Sequence, residues 1–169
     1  MLAVDLYLAH KIRSYAEEEC SMLIERSLEE FHPSTIITVT CMDYRVQRRR
    51  GFLLTSAGNI VHPTMLADIH LILPGKKAIL LQAHTDCQKT KSEVARIRGE
   101  SEEAYQARVE QRTMERLWEN ARVLMNDQLI AKAIENGMLF CASLFDVNAR
   151  KVTYFEKESR SLYDLRNCA

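Results

Sequence analysis

Residues 35–45 read TIITVTCMDYR, and residues 78–87 read AILLQAHTDC. Thr35–Thr40 is almost wholly β-branched, which is the composition of a buried strand. Ala78–Ala83 is a second apolar run of strand length. Each run passes without a spacer into a polar loop that opens on a metal-capable side chain, Cys41 in the first and His84 in the second. Cys87 follows His84 in the same loop.

The flanking sequence supplies the rest of the architecture. Phe52–Thr55 reads as a weaker strand. His62–Leu73 returns to helical spacing, with Met65, Leu66, Ile69 and Leu73 on one stripe and Pro63 in the permitted first turn. Pro74-Gly75 is a turn. Ser101–Asn136 reads as helix in two pieces meeting near Asn126-Asp127, with Met114, Leu117, Trp118, Ala121, Leu124 and Met125 forming one face. The charged segment Lys89–Arg116 reads as a helix of alternating sign that faces solvent or a second subunit. Gly137 ends the helical region, Met138–Phe145 is a third strong strand, and Lys151–Phe155 folds back on it as a hairpin after the turn Asp146–Ala149. At the N-terminus, Ala16, Cys20, Leu23, Ile24, Leu28 and Phe31 form the stripe of an amphipathic helix that Pro33 stops.

Strands alternating with helices predict an α/β fold, a mostly parallel four-stranded sheet with a C-terminal hairpin strand, flanked by helices and preceded by a helical arm. The expected organisation is one domain over residues 1–169, with the arm at 1–32, the α/β core at 33–156 and a tail at 157–169. A chain of 169 residues, 47% hydrophobic and 27% charged, buries a core without disulfide staples, which excludes a disordered or collagen-like chain. Lys plus Arg and Asp plus Glu are equal at 23 each, so no net charge argues for nucleic acid or an anionic membrane as partner. The start, MLAVDLYLAHKIR, lacks the basic-then-apolar pattern of a signal peptide. Five irregularly spaced cysteines, an odd number, fit reduced thiols in a cytoplasmic compartment better than a disulfide framework.

In parallel sheets, sites form where strands end and loops begin. Two neighbouring strands would carry Cys41 and the His84/Cys87 pair to one edge. A buried cysteine at a strand end is ordinarily a small apolar residue; two such loops together are a stronger signal. Two thiolates and one imidazole suit zinc, and three protein ligands leave one tetrahedral position open, the mark of a catalytic site.

The order CxDxR then HxxC, each after a short strand, resembles the β-class carbonic anhydrases, most nearly their compact archaeal-type branch. Ser56-Ala57-Gly58-Asn59-Ile60-Val61 is similar to that family's AGN turn, and MLFCASLFDVNARKVTYF to its last core strand and hairpin. The resemblance implies one zinc per chain on Cys41, His84 and Cys87, with Asp43 and Arg45 as an acid–guanidinium pair. It implies reversible hydration of carbon dioxide to bicarbonate by a zinc-bound hydroxide, in a homodimer or an assembly of dimers. On that reading Arg45 clamps Asp43 through parallel N–H donors, and Asp43 orients the nucleophile. Gly58 allows a tight backbone approach and Asn59 caps the following segment. His62 is the best-placed of the remaining histidines for proton relay. Arg48-Arg49-Arg50 invites an anion site, though such runs are ordinarily solvated. The sequence departs from the family where Tyr44 replaces a small residue and where Ala83 and Gln88 replace glycines. Those departures keep two alternatives open: hydrolysis of carbonyl sulfide or carbon disulfide on the same scaffold, and a zinc-binding homologue without turnover.

Overall fold

The computed structural model describes residue 26 and residues 28–46 and 51–156. Most of the expected N-terminal arm, the whole tail from residue 157 and Arg48-Arg49-Arg50 lie outside the described residues. Five strands form one sheet: β1 (Ile36–Cys41), β2 (Phe52–Ser56), β3 (Ala78–His84), β4 (Leu139–Asp146) and β5 (Lys151–Glu156). Their spatial order is β2-β1-β3-β4-β5. The first four are parallel and β5 runs antiparallel to β4, as the strand–helix alternation predicts.

The helices are α1 (Pro63–Ile72), α2 (Gln88–Glu93), α3 (Glu102–Asn126) and α4 (Gln128–Glu135). One face of the sheet, with Ile37, Val39, Ile79, Leu81 and Phe140, packs on Met65 and Ile69 of α1, Leu117, Ala121 and Leu124 of α3, and Ile130 of α4. On the other face Ile36, Leu80, Phe145 and Tyr154 pack with Leu28 and Val46. Burial on both faces is why β1 and β3 read as unbroken apolar runs instead of alternating ones. β2 lies at the edge, and its Phe52 and Leu53 are exposed.

Two local expectations are corrected. The cap of α1 is His62, not Asn59: His62 Nδ1 accepts from the Met65 amide at 3.3 Å and from the Thr64 hydroxyl at 2.6 Å. Lys89–Arg116 is not one helix. α2 ends as Val94 turns extended, and residues 94–101 form a loop that turns at Gly99 (φ 83°). Ion pairs Arg96–Glu102 and Arg108–Glu100 brace that loop. Charge alternation looked helical because those partners face each other across the turn rather than along a helix. Among the described residues no helix is long and apolar enough to cross a membrane.

The break near Asn126-Asp127 has a defined cause. Asp127 Oδ1 accepts from the amides of Leu129 and Ile130, both at 3.1 Å, and starts α4, while its carboxylate also meets His70 Nε2 at 2.9 Å. Burial works against this charge, but the capped amides and His70 outweigh it and hold the Asp127 carboxyl below its ordinary value. Asp127→Ala is therefore expected to lose about 1–2 kcal/mol of stability in urea unfolding near neutral pH. Because the folded value is depressed, this contribution is present above the ordinary aspartate value and fades as acid protonates the folded carboxylate.

Candidate metal centre

β1 and β3 are adjacent and parallel, so their carboxyl ends share one edge of the sheet. Cys41 is the last residue of β1 and His84 the last of β3. After His84 the chain turns through Thr85 and Asp86 (φ 59°) to reach Cys87, the residue that precedes α2. The two sulfurs and a ring nitrogen of His84 lie within 4.8 Å of one another, and all three residues are buried.

The histidine is oriented by its neighbour. Its Nδ1–H donates to the Thr85 carbonyl at 2.8 Å, so the neutral ring carries its lone pair on Nε2. That Nε2 is buried and has no hydrogen-bond partner. A cavity of about 10 Å³, room for one small occupant, opens among Cys41, His84, Cys87, Gly58 and Asn59. An orphaned imidazole nitrogen facing two sulfurs is an unfavourable arrangement unless something binds there. The donor set fits a borderline-soft divalent ion, with a fourth position left over.

The two thiols ionise as a pair. The hydrogen bond from Cys41, and then the His84 ring beside it, hold Cys87 far below an ordinary thiol. Cys41 is pushed far up, first because it donates to Cys87 and then because it is buried. Amides of Asp43 and Gly58 face the Cys41 sulfur and oppose that rise. Burial disfavours a charged His84 ring, but the Cys87 thiolate beside it and the Thr85 carbonyl outweigh this and make it more basic.

Asp43 and Arg45 sit at the rim. Arg45 Nε donates to both Asp43 oxygens at 3.0 and 3.2 Å, and Nη2 donates to Oδ2 at 2.6 Å. Arg45 also holds the second loop: Nη1 donates to Asp86 Oδ2 at 2.5 Å and Nη2 to the Asp86 carbonyl at 2.9 Å. Asp86 is paired in addition with Lys91, which compensates a left-handed backbone that aspartate adopts at some cost. The Arg45 hydrogen bonds hold the Asp43 carboxyl at about 2, against a smaller opposing effect of burial. Asp43 Oδ2 lies 3.9 Å from His84 Nε2.

Three contributors were not singled out from sequence. Asp86 gave a signal, since it lies inside HTDC between two ligand candidates. Asn120 of α3 donates to the Asn59 carbonyl at 2.6 Å and accepts from the Val61 amide at 3.0 Å, pinning the AGN turn. Arg116 of α3 lines the same cavity. Nothing local in sequence links residues 116 and 120 to residue 59. Tyr44 is 87% exposed and does not crowd Asp43 and Arg45 within this chain, and Gln88 is an exposed first residue of α2.

Neither the protein-family models nor the curated sequences give a match to this chain. Solved structures do. A tetrameric β-carbonic anhydrase of the filamentous ascomycete Sordaria macrospora superposes with a TM-score of 0.60 at 17% identity, over 91% of this chain and 96% of that one. The β-carbonic anhydrase CafA of Aspergillus fumigatus gives 0.60 at 13% identity, over 96% and 95%. A carbonic anhydrase of Streptococcus mutans gives 0.51 at 16% identity, over 88% and 96%. The chain has the β-carbonic anhydrase fold. At these identities the likeness is one of fold, and what the site does has to be argued from its own side chains.

Arg45→Ala removes the donors that keep Asp43 ionised and join the two loops. The expected loss is about 2–3 kcal/mol at pH 7 in urea unfolding. Since Asp43 has a depressed folded value, the wild-type advantage exists above its ordinary 3.8 and shrinks as pH falls toward about 2. A wild-type minus variant difference that stays constant over that window would contradict this account.

Proposed function

We propose that the protein is a zinc enzyme that hydrates carbon dioxide reversibly to bicarbonate and a proton. The observation that carries the reading is the unpartnered Nε2 of His84, buried against two thiol sulfurs and bordered by the Asp43–Arg45 pair. Cys41, His84 and Cys87 would hold the zinc, one ion per chain. Zinc supplies a Lewis acid there, lowering the pKa of water so that it reacts near neutral pH.

The chain's own groups do the positioning. Arg45 keeps Asp43 ionised at any working pH and takes up the carboxylate edge that faces it. Asp43 is then held in place to accept the hydrogen bond of the reacting water and aim a lone pair at the carbon. Arg45 also keeps Asp43 from swinging onto the metal as a fourth ligand, the 3.9 Å separation from His84 Nε2 being short enough for that. In the overall balance the water oxygen adds to the carbon of carbon dioxide and one proton leaves. His62 is the candidate to carry that proton away, although its Nδ1 is committed to capping α1.

The working unit on this reading is a homodimer or an assembly of dimers in the cytoplasm, with no nucleic acid or membrane partner. The Sordaria macrospora structure is of a tetrameric enzyme. Here β2, the outermost strand among the described residues, with exposed Phe52 and Leu53, supports association with a second copy.

The zinc-loaded full chain is expected to bind about one zinc and to hydrate carbon dioxide in stopped flow, with His84→Ala losing both metal and activity. Asp43→Ala should keep the metal and lose about 10- to 100-fold in turnover. Sulfide release from carbonyl sulfide and carbon disulfide is measured alongside. Release without carbon dioxide hydration would replace the substrate, and one bound zinc with neither reaction would leave a non-catalytic centre.

A further inference from the structure

One charged side chain of α3 lines the cavity beside Cys41, His84 and Cys87. Arg116 is only 5% exposed, unusual for an arginine unless it is held on several sides. Its Nη1 donates to Thr90 Oγ1 at 3.1 Å, and its Nη2 is paired with the Glu93 carboxylate. The same Nη1 lies over Gly58, where a Cβ would come within 2.8 Å of it. Arg116 therefore touches both segments that flank the sulfurs. Gly58 belongs to the turn whose amide faces Cys41, and the Thr90 amide, in the first turn of α2, faces Cys87 without closing a capping hydrogen bond.

We infer that Arg116 is a positioning residue of the metal centre: its guanidinium ties α2 and the Gly58 turn to α3 at the separation that keeps Cys41 and Cys87 within reach of one ion. The inference rests on the metal-site reading above. α2 needs such a tie. It has six residues, QKTKSE, of which Thr90 alone is buried, so neither length nor an apolar face holds it in place. Gly58, left-handed and packed under Lys89 and Arg116, has no side chain of its own to anchor it. A planar guanidinium serves both segments at once: its nitrogens engage Thr90 and Glu93 of α2 from one rigid plane, while Nη1 also lies over Gly58. Burial of that charge is tolerable only with Glu93 in place, which leaves Arg116 one position to occupy. Lysine would reach Glu93 yet could not also bond Thr90 and cover Gly58.

The test measures the metal, not turnover. Zn²⁺ affinity of the full chain is measured by competition with a chromophoric chelator, and the thiolate-to-metal charge-transfer bands are recorded after loading with Co²⁺. Wild type is compared with Arg116→Lys and with Thr90→Val, which removes only the acceptor. Both variants are expected to bind Zn²⁺ about 10- to 100-fold more weakly and to shift the Co²⁺ bands, with the metal-free melting temperature little changed. Wild-type affinity and bands in both variants would overturn the inference while leaving the metal centre standing. A loss of affinity matched by an equal loss of metal-free stability marks a merely structural role and overturns it too. Should Arg116→Lys fail to fold, Thr90→Val decides. A wild-type chain that binds neither ion removes the metal centre itself, a result distinct from the others.

Discussion

Two thiols and an imidazole packed within 4.8 Å of one another, out of water, set the constraint that the surrounding structure answers. The second thiolate of such a pair can form only against the charge of the first, which is why Cys41 and Cys87 are driven in opposite directions. A divalent ion removes that conflict by accepting both sulfurs and the spare nitrogen. The neighbourhood is arranged accordingly. Amides of Asp43 and Gly58 face one sulfur, the start of α2 faces the other, and a carbonyl fixes the imidazole so that its free nitrogen points inward.

The ionic groups around the cluster are laid out in pairs. Arg45 is balanced by Asp43 and Asp86, Lys91 by Asp86, and Arg116 by Glu93. Two of these cations also join separate chain segments. Arg45 joins the loop after β1 to the loop after β3, and Arg116 joins α3 to α2. These ion pairs fix geometry as well as adding stability. Their value lies in removing alternative positions for the loops that carry the ligands.

The strands and their loops were legible because burial on both faces demands an unmistakable composition. TIITVT and AILLQA could be little else, and parallel pairing then sends Cys41, His84 and Cys87 to one edge. The two-piece helix was legible from its apolar stripe and the polar break near Asn126-Asp127, where Asp127 caps the second piece. What escaped was the set of contacts made at long range by polar side chains. Asn120 and Arg116 sit on a helix whose apolar stripe announces packing, but their hydrogen-bond partners Asn59 and Thr90 are 61 and 26 residues earlier, and no local pattern encodes that. The misreading of residues 89–116 has the same root. Alternating charge satisfies a helix equally well as a pair of segments folded on each other, and only Gly99, in left-handed backbone, decides for the turn.

The departures from the family pattern bear on a different part of the problem. Glycine is needed where a side chain would collide, and this chain keeps it at Gly58, where Lys89 and Arg116 close over the turn. At Gln88 no such need exists, because the side chain leaves α2 toward solvent. Ala83 adds one methyl to a buried strand position that lines the cavity. Tyr44 is exposed and stands clear of Asp43 among the described residues, so all three replacements leave untouched the two sulfurs and the imidazole on which the site is built.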